Sequence, residues 1–266
     1  MKIGIFDSGL GGLFITKSIT RRLPRYDYLY VGDTERSPYG NRSGRVVYQF
    51  LREAVAYLFK EDCALVIVAC NTASAQALRR IQKEYLPQHY PGRRVLGIIV
   101  PTIEKVSANR AKRIGVLATA GTVRTRAFTR ELRKSDTHMR VFEAAAPLLV
   151  PIIEHNEMRL ANAAIRHYLA PLLKKKIDTL ILGCTHYPIV RRRIKMFAGP
   201  SINVVSQDEF IGEKLADYLV RHPEIERMLT RRKRIALRVT DVTPAFRTLS
   251  RRWFGRSATL KRIHLL

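Results

Sequence analysis

Short apolar runs rich in β-branched residues alternate along the chain with longer amphipathic stretches. Each run is followed by small or polar residues, which is typical of a buried strand that ends in a loop. The runs predict strands at residues 2–6, 28–31, 65–69, 95–99, 113–117, 140–143, 179–182, 202–205 and 235–239.

The segments between these runs have the periodicity of helices. In residues 44–61 the apolar side chains recur at every third or fourth position, so they form one face of a helix. Because strands and helices alternate, the pattern indicates parallel sheets covered by helices, which is an α/β architecture. Similar helical patterns occur at residues 12–22, 73–85, 123–134, 158–175 and 207–221.

Two of the strand–helix units share one plan. LVIVACNTASAQALRRIQ and TLILGCTHYPIVRRRIKMF each consist of an apolar strand, a small residue, a cysteine and then a helix that carries arginines. The separation of the two cysteines, Cys70 and Cys184, is close to the length of one domain. Two related α/β lobes would explain the repetition, each with a cysteine at the carboxyl edge of its sheet. Open α/β sheets bind their ligands at that edge.

The charge of the chain is strongly positive. Its 266 residues include 48 Lys and Arg against 22 Asp and Glu, which gives a formal net charge of +26. An excess of this size fits a nucleic-acid partner, an anionic membrane surface or acidic small molecules. The basic residues are scattered in short clusters, which favours a solvated surface and makes a nucleic-acid partner unlikely. A nucleic-acid-binding or regulatory role stays as the alternative.

The cysteine content and the lack of long apolar segments predict a cytoplasmic protein with no membrane partner. Three cysteines are too few for a disulfide framework. The longest apolar run, residues 144–153, is broken by Pro147 and Pro151 and is too short to cross a bilayer. The first strand meets Asp7 before it reaches the length of a signal peptide.

Cys70 is the first candidate for chemistry. It follows the predicted strand at residues 65–69, and Asn71 or Thr72 would cap the helix that comes next. The positive end of a helix favours a thiolate over a thiol, so this position suits a reactive cysteine. A buried and inert thiol is the competing interpretation. Cys63 precedes the strand and is assigned to that inert class.

Cys184 and His186 form the second candidate. Pro188 fits the first turn of a helix, so Cys184 also lies where a strand gives way to a helix. His186 could donate a proton, hold a carboxylate or change the charge of the thiol, or it could simply pack locally. The pair offers at most two metal ligands, and the sequence has neither a second Cys/His cluster nor a Cys-x-x-Cys pair. No metal site is predicted.

A glycine-rich turn follows the first strand in IGIFDSGLGG. Phe14 stands where a dinucleotide-binding turn needs its third glycine, and no phosphate-loop lysine follows. No cofactor is therefore predicted, and a turn whose N–H groups hold a carboxylate beside Asp7 fits better. Asp7 could otherwise merely cap the helix. Two further loops offer polar groups: Ser37, Tyr39, Gly40 and Asn41 in GDTERSPYGNRS, and Glu154 and His155 near the start of a helix in LLVPIIEHN.

The candidate groups are thiols, carboxylates and one imidazole. Acid–base groups on two lobes suit a reaction that removes a proton from one face of a carbon and returns a proton to the opposite face. One base cannot easily serve both faces of a bound substrate, whereas two opposed bases can.

The motifs together resemble those of the glutamate racemases, the cofactor-independent enzymes of the aspartate/glutamate racemase superfamily. The resemblance covers nearly the whole chain. Its most specific motifs are CNTAS and GCTHYP, because the histidine after GCT distinguishes glutamate racemases from relatives with glutamate there. GIFDSGLGGL, DTERSPYG, VACNTASA, RIGVLATAGTV, LLVPIIE and LGCTHYP stand in the family's order, and VTDVTPAFRTLSRRWFG resembles its carboxyl-terminal segment.

The resemblance implies a fold of two pseudosymmetric α/β lobes, each a mainly parallel sheet flanked by helices, with the active site in the cleft between them. The first lobe would comprise residues 1–97 and 209–266, and the second, inserted lobe residues 98–208. The implied activity is the cofactor-independent interconversion of L- and D-glutamate. That activity would supply D-glutamate for peptidoglycan, and hence for cell-wall biogenesis and cell shape. A homodimer is usual in the family.

The resemblance also implies roles for individual residues. Cys70 would take the α-proton from D-glutamate, and Cys184 would take it from L-glutamate. Asp7 and His186 would assist the neighbouring thiols, and Glu154 would be a further helper. Substrate contacts would come from Asp7, Ser8, Tyr39, Gly40, Asn71, Thr72, Thr185 and His186.

Several positions depart from the family pattern, although none of them is a predicted base. They leave substrate affinity open, so a racemase of broader or different acidic amino-acid specificity is the alternative within the enzyme class. The departures are Glu35 and Ser37 in place of alanine and an apolar side chain, Val100-Pro101-Thr102 in place of a Pro-Gly pair, and Ser206-Gln207 in place of Asp-Ser.

Overall fold

The computed structural model describes residues 1–109, 111–255 and 258–265. Within these residues the chain forms ten strands, which pair in parallel in two separate sheets. The strands predicted from the sequence are confirmed, with ends that differ by a few residues. They are β1 (Lys2–Asp7), β2 (Tyr28–Gly32), β3 (Cys63–Val68), β4 (Arg94–Gly97), β5 (Arg113–Ala118), β6 (Arg140–Ala145), β7 (Thr179–Gly183), β8 (Asn203–Ser206) and β9 (Ile235–Val239), with an unpredicted β10 (Thr259–Arg262).

Helices connect these strands and cover both sheets. The chain also forms a π-helical turn at Ile81–Tyr85. Short 3₁₀ turns occur at Tyr39–Asn41, Tyr187–Val190 and Gln207–Glu209. The helices are α1 (Gly12–Arg22), α2 (Gly44–Lys60), α3 (Asn71–Gln76), α4 (Leu78–Arg80), α5 (Leu86–His89), α6 (Ile99–Ala108), α7 (Ala120–Thr125), α8 (Ala127–Ser135), α9 (Leu149–Glu154), α10 (Met158–Leu173), α11 (Arg191–Ala198), α12 (Ile211–Arg221), α13 (Pro223–Glu226) and α14 (Pro244–Phe254).

The two sheets repeat one strand order. The first sheet has the order β10-β9-β2-β1-β3-β4, and the second has the order β6-β5-β7-β8. The second order corresponds strand for strand to β2-β1-β3-β4 of the first. Cys70 follows β3 and Cys184 follows β7, so the two cysteines occupy equivalent places in the two sheets. The fold is thus the predicted pair of similar α/β units.

The central strands are apolar over most of their length because helices bury both of their faces. Along β1, Ile3 and Ile5 pack into the cluster that includes the α1 side chains, whereas Phe6 points to the opposite face and packs with α2. The second sheet alternates in the same way, with Leu180 facing α10 and Ile181 facing α8. This alternation holds each strand in register within its own sheet, so β1 ends beside β3 and β5 ends beside β7.

Several predicted helices are interrupted. The predicted helix at residues 73–85 divides into α3, α4 and the π-helical turn, since the backbone of Ala77 leaves the helical region. The predicted helix at residues 123–134 is divided by Arg126, whose φ of 53° lies in the left-handed region. The predicted strand at 95–99 was too long: β4 ends at Gly97 and Ile99 begins α6.

Two crossovers connect the sheets. The first runs from β4 through α6 to β5, and the second runs from β8 through the 3₁₀ turn Gln207–Glu209 to α12. Here the predicted helix at residues 207–221 begins late, because Phe210 separates the 3₁₀ turn from α12. Both crossovers therefore lie beside the region where the carboxyl ends of the two sheets face each other.

Candidate active site

The carboxyl ends of the two sheets enclose a cavity of about 20 Å³. Loops from both sheets contribute to its wall, and both candidate cysteines line it. Most of the residues that the sequence nominated are brought together here. The wall is formed by Ser8, Ser37, Pro38, Tyr39, Gly40, Cys70, Asn71, Thr72, Thr119, Val150, Cys184, Thr185 and His186.

Cys70 is the N-cap of α3. Its Sγ accepts a hydrogen bond from the Ala73 backbone N–H at 3.5 Å and donates to Ser8 Oγ at 3.5 Å. The cap is thus the cysteine itself, and the prediction that Asn71 or Thr72 would cap this helix was wrong. The sulfur can act as the cap because Cys70 immediately precedes α3 and its Sγ points back at the first turn.

Burial decides the charge of Cys70. The side chain is buried, and burial raises the pKa of its thiol to about 12, with the negative charge of Asp7 adding to the rise. The hydrogen bonds with Ser8 and Ala73 lower the pKa but do not offset burial. The helix end favours a thiolate, as expected from the sequence, but burial outweighs it. Cys70 is a thiol here.

Asp7 joins the two sheets. Its Oδ1 accepts the Gly9 backbone N–H at 3.0 Å, and its Oδ2 accepts the Thr185 hydroxyl at 3.1 Å. The side chain is fully buried, and burial raises the pKa of Asp7 to about 6, against the opposing effects of His186 and the hydrogen bonds. Asp7 therefore gains and loses its proton near neutral pH, although it does not itself line the cavity.

Replacing Asp7 with asparagine should stabilise the folded chain at neutral pH but not at pH 4. A folded-state pKa above the ordinary 3.8 means that the folded chain holds this proton more tightly than the unfolded chain. The stability it contributes is complete below pH 4 and is lost as the pH rises through about 6. A shift of about two pH units corresponds to about 3 kcal/mol.

Asparagine is neutral throughout this range, so the native chain and Asp7→Asn can be compared directly. Urea denaturation of both proteins between pH 4 and pH 7 should show the free energy of unfolding of Asp7→Asn rising relative to the native chain by about that amount. A difference that stays constant across the range would show that Asp7 titrates alike in the folded and unfolded chains.

Cys184, His186 and Glu154 form a chain of polar contacts. Cys184 Sγ lies 3.9 Å from His186 Nδ1, and His186 Nε2 lies 2.9 Å from Glu154 Oε1. Burial works against a charged imidazole, but the hydrogen bonds with Cys184 and Glu154 outweigh it and raise the pKa of His186 well above 6.5. Burial likewise opposes the ionisation of Glu154, yet the bond with His186 leaves its pKa lowered.

Glu154 also receives a hydrogen bond from the first sheet. Ser37 Oγ donates to Glu154 Oε1 at 3.2 Å, so a residue that departs from the family pattern closes the cleft on this side. Glu154 is the last residue of α9, whereas the sequence predicted it near the start of a helix. At the end of that helix its carboxylate can reach His186.

Three predicted substrate contacts already have partners. The Tyr39 hydroxyl donates to the buried carboxylate of Asp33, and the Thr72 hydroxyl lies 2.9 Å from Thr119 Oγ1. The Asn71 amide is paired with the amide of Gln207. Their roles in substrate binding stay predictions, as do those of Ser8, Gly40, Thr185 and His186. Asn41 and His155, also noted in the sequence, are exposed.

Three residues of the wall were not among the candidates from the sequence: Pro38, Thr119 and Val150. Thr119 directly follows β5 and Val150 lies in α9. Thr119 occupies the carboxyl end of a central parallel strand, the same kind of position as Cys70, so the topology could have revealed it. Val150 carries no chemical signal that would distinguish it from a core residue.

Neither a metal centre nor a membrane span is found in the described part of the chain. Among residues 1–109, 111–255 and 258–265, no three His, Cys, Asp or Glu side chains come together in a way that could hold a metal ion. In the same residues, none of the helices has the length and apolar character that a bilayer span requires.

Residues 11–206 match the sequence profile described as Asp/Glu/Hydantoin racemase. The chain belongs to this family. It is 41% identical over 238 residues to the glutamate racemase of Ruegeria pomeroyi, across 85% of the chain and 87% of that relative. Such similarity makes the chain an amino-acid racemase, which is an isomerase.

Solved structures share the fold. A glutamate racemase isoform from Bacillus anthracis superposes with a TM-score of 0.88 and 31% identity, covering 99% of this chain and 97% of that one. The glutamate racemase of Francisella tularensis, in complex with D-glutamate, superposes with a TM-score of 0.86 and 28% identity over the same shares. The two-lobed α/β architecture expected from the sequence is confirmed.

Proposed function

We propose that the chain is a glutamate racemase that interconverts L- and D-glutamate by two-base proton transfer without a cofactor. The observation that carries the proposal is that Cys70 and Cys184, at equivalent places in the two sheets, line one cavity. Each cysteine has its own polar neighbours, Ser8 for Cys70 and His186 for Cys184. Curated relatives and solved structures named glutamate racemase support the choice of substrate.

The two thiols divide the work between the faces of the α-carbon. His186 Nδ1 lies 3.9 Å from Cys184 Sγ, and the reaction of the L-enantiomer begins with Cys184 as a thiolate. That thiolate takes the α-proton of L-glutamate, and the Cys70 thiol delivers its proton to the opposite face. The product is D-glutamate, with Cys184 now a thiol and Cys70 a thiolate. The reverse steps convert D-glutamate.

The surrounding groups serve these steps. Asp7, with its pKa of about 6, lies close enough to Cys70 to affect the charge of that thiol and can exchange a proton near neutral pH. Glu154 holds the imidazole of His186 in place. Hydroxyls of Ser8, Thr72 and Thr185, the Asn71 amide and backbone N–H groups of the Tyr39–Gly40 turn hold the substrate carboxylates.

The cleft opens to admit substrate. A cavity of about 20 Å³ holds roughly one water molecule, whereas pockets for small ligands measure about 300 Å³ or more. Access therefore requires the loops of the two sheets to separate, which breaks contacts such as the Asp7–Thr185 and Ser37–Glu154 hydrogen bonds. Reclosure restores the distances between the thiols and the substrate.

The wider expectations belong to the same proposal. The enzyme works in the cytoplasm and supplies D-glutamate for peptidoglycan, and two chains form a homodimer. The lobes comprise residues 1–97 with 209–266, and residues 98–208. Nucleic-acid binding has only the net charge of +26 in its favour.

The purified protein should convert either enantiomer of glutamate into a racemic mixture with no cofactor added. Chiral chromatography measures the approach to equilibrium from both sides. Parallel reactions with L-aspartate and L-glutamine test for a broader specificity. The proposal fails if neither enantiomer of glutamate is converted while the protein is folded by circular dichroism.

A further inference from the structure

A buried pair of side-chain amides lies beside Cys70. Asn71 Nδ2 donates to Gln207 Oε1 at 2.7 Å, and Gln207 Nε2 donates back to Asn71 Oδ1 at 2.9 Å. Gln207 Nε2 also donates to Thr102 Oγ1 at 2.9 Å. All three side chains are almost wholly buried, with exposures of 2%, 2% and 0% for Asn71, Gln207 and Thr102. Water therefore does not compete for these bonds, and a lost partner would leave an unsatisfied polar group.

The three residues come from different parts of the fold. Gln207 directly follows β8 on the second crossover, and Thr102 lies in α6 on the first crossover. Asn71 is the first residue of α3, the helix that Cys70 caps. Gln207 itself lies on the second crossover. Its side chain contacts Thr102 on the first crossover and Asn71, the residue after Cys70, so it links both crossovers to the start of α3.

The Thr102 hydroxyl extends this connection along α6. It donates to the Ile98 backbone carbonyl at 2.7 Å, so the Thr102 oxygen is held in place before Gln207 reaches it. Gln207 therefore binds at a fixed point on the first crossover. A movement of either crossover is passed to Asn71 through these hydrogen bonds, because the side chains that make them are almost wholly buried.

We propose that Gln207 is a positioning residue that sets the place of Cys70 Sγ in the closed cleft. Gln207 holds Asn71 and the first turn of α3 against the two crossovers. These crossovers are the segments that move when the sheets separate. The inference rests on the proposed function, since it concerns the thiol that acts on D-glutamate. When the cleft recloses, the amide pair returns Cys70 to one position relative to the α-carbon.

Gln207→Met is the direct test. Methionine has a similar length and an unbranched chain, but it cannot pair with Asn71 or Thr102. Thr102→Val is the milder second variant, because it detaches Gln207 from α6 and leaves the amide pair intact. Ile165→Val is the control, since it removes one methyl group from the core under α10 and touches none of these residues.

The first readout needs no substrate. Alkylation by iodoacetamide, followed by mass spectrometry, measures the reaction rates of Cys70 and Cys184 separately in each protein. Gln207→Met should raise the Cys70 rate relative to the Cys184 rate on the order of tenfold, because the start of α3 is no longer held. Thr102→Val should shift the ratio in the same direction by less, and Ile165→Val should leave it unchanged.

The second readout is the reaction itself. Gln207→Met should lower kcat about tenfold and raise KM by a smaller factor, since it displaces Cys70, whereas of the proposed substrate contacts only the Asn71 amide loses its support. The primary isotope effect with 2-deuterated D-glutamate should rise more than with the L-enantiomer. Ile165→Val should show neither change.

The outcomes separate the two proposals. If the native chain does not racemise glutamate, the proposed function fails, while the alkylation ratio still decides the role of Gln207. If the ratio is unchanged in both Gln207→Met and Thr102→Val, or if their activity falls only in proportion to their loss of stability, Gln207 is a structural residue and the inference is overturned.

Discussion

Cys70→Ser and Cys184→Ser should each lose about a thousandfold or more of the racemase turnover. A serine hydroxyl is a far weaker acid than a thiol, so it does not ionise near neutral pH to form the base, and it donates its proton poorly. Each variant keeps one competent thiol, and the loss should therefore depend on the direction of proton removal. We expect this dependence on direction because one thiol serves each face of the α-carbon.

Hydrogen exchange in D₂O distinguishes the two variants. Cys70→Ser keeps Cys184 and should incorporate deuterium from the solvent into L-glutamate faster than into D-glutamate. Cys184→Ser should show the reverse preference. Proton NMR of the recovered glutamate measures both rates, and the ratio identifies which thiol serves which enantiomer.

Cys63→Ala is the matched control. Cys63 is buried at the start of β3 and does not line the cavity, and burial raises the pKa of its thiol to about 12, the value found for Cys70. The control should therefore keep native turnover. Full turnover in both serine variants would refute the two-thiol mechanism. A loss of turnover in Cys63→Ala would show that replacing a buried thiol outside the cavity is enough to lower turnover, so the losses in the serine variants would not identify the catalytic thiols.

Gly11→Ala should lower kcat/KM about a hundredfold by forcing the sheets apart. A Cβ at position 11 would lie 2.6 Å from the Thr185 carbonyl carbon and 2.8 Å from the His186 backbone nitrogen. Both are main-chain atoms, so no side-chain rotation can relieve the contact. The backbone at Gly11 is right-handed helical, with φ at −61°, so the effect is one of space and not of conformation.

The close contact at position 11 would also displace the catalytic groups. A shift of the Cys184–His186 loop away from the start of α1 would stretch the Asp7–Thr185 hydrogen bond and widen the gap between the two thiols. Overpacking of this kind also destabilises by about 1–3 kcal/mol. Steady-state kinetics and urea denaturation of the same preparation measure both effects.

Gly92→Ala provides the comparison. A Cβ at Gly92 meets no atom within 4 Å, so this variant should change stability by no more than about 0.5 kcal/mol and leave kcat/KM unchanged. If Gly11→Ala behaves like Gly92→Ala, the sheets are not in close contact at the start of α1 in the working enzyme.

The sequence predicted the parts of the site that depend on short stretches of chain. Cys70 and Cys184 could be placed at the carboxyl ends of strands because each strand, loop and helix start is contiguous. The same rule applies to Thr119, which follows β5 and was overlooked because threonine at a strand end is common. Arg126 could not be predicted as a helix break, since apolar periodicity does not reveal a left-handed backbone.

Properties that depend on packing between distant segments were beyond the sequence. The helix start alone suggested a thiolate at Cys70, but burial by the facing loops dominates and leaves a thiol. Similarly, Asn71 was expected to face substrate, and only the folded chain brings Gln207 to its amide. Both differences arise because the cleft is formed by loops far apart in the chain.

The two sheets differ in how much of the chain must be synthesised before all of their strands are present. All strands of the second sheet, β5 to β8, come from one uninterrupted stretch, whereas the first sheet takes β9 and its edge strand β10 from a segment that follows the second sheet. During synthesis on the ribosome, the inserted sheet can finish assembling while its host still lacks two strands. The neighbour of β2 on that side is β9, and β10 pairs with β9 in turn, so the first sheet gains these two strands only after every strand of the inserted sheet has been made.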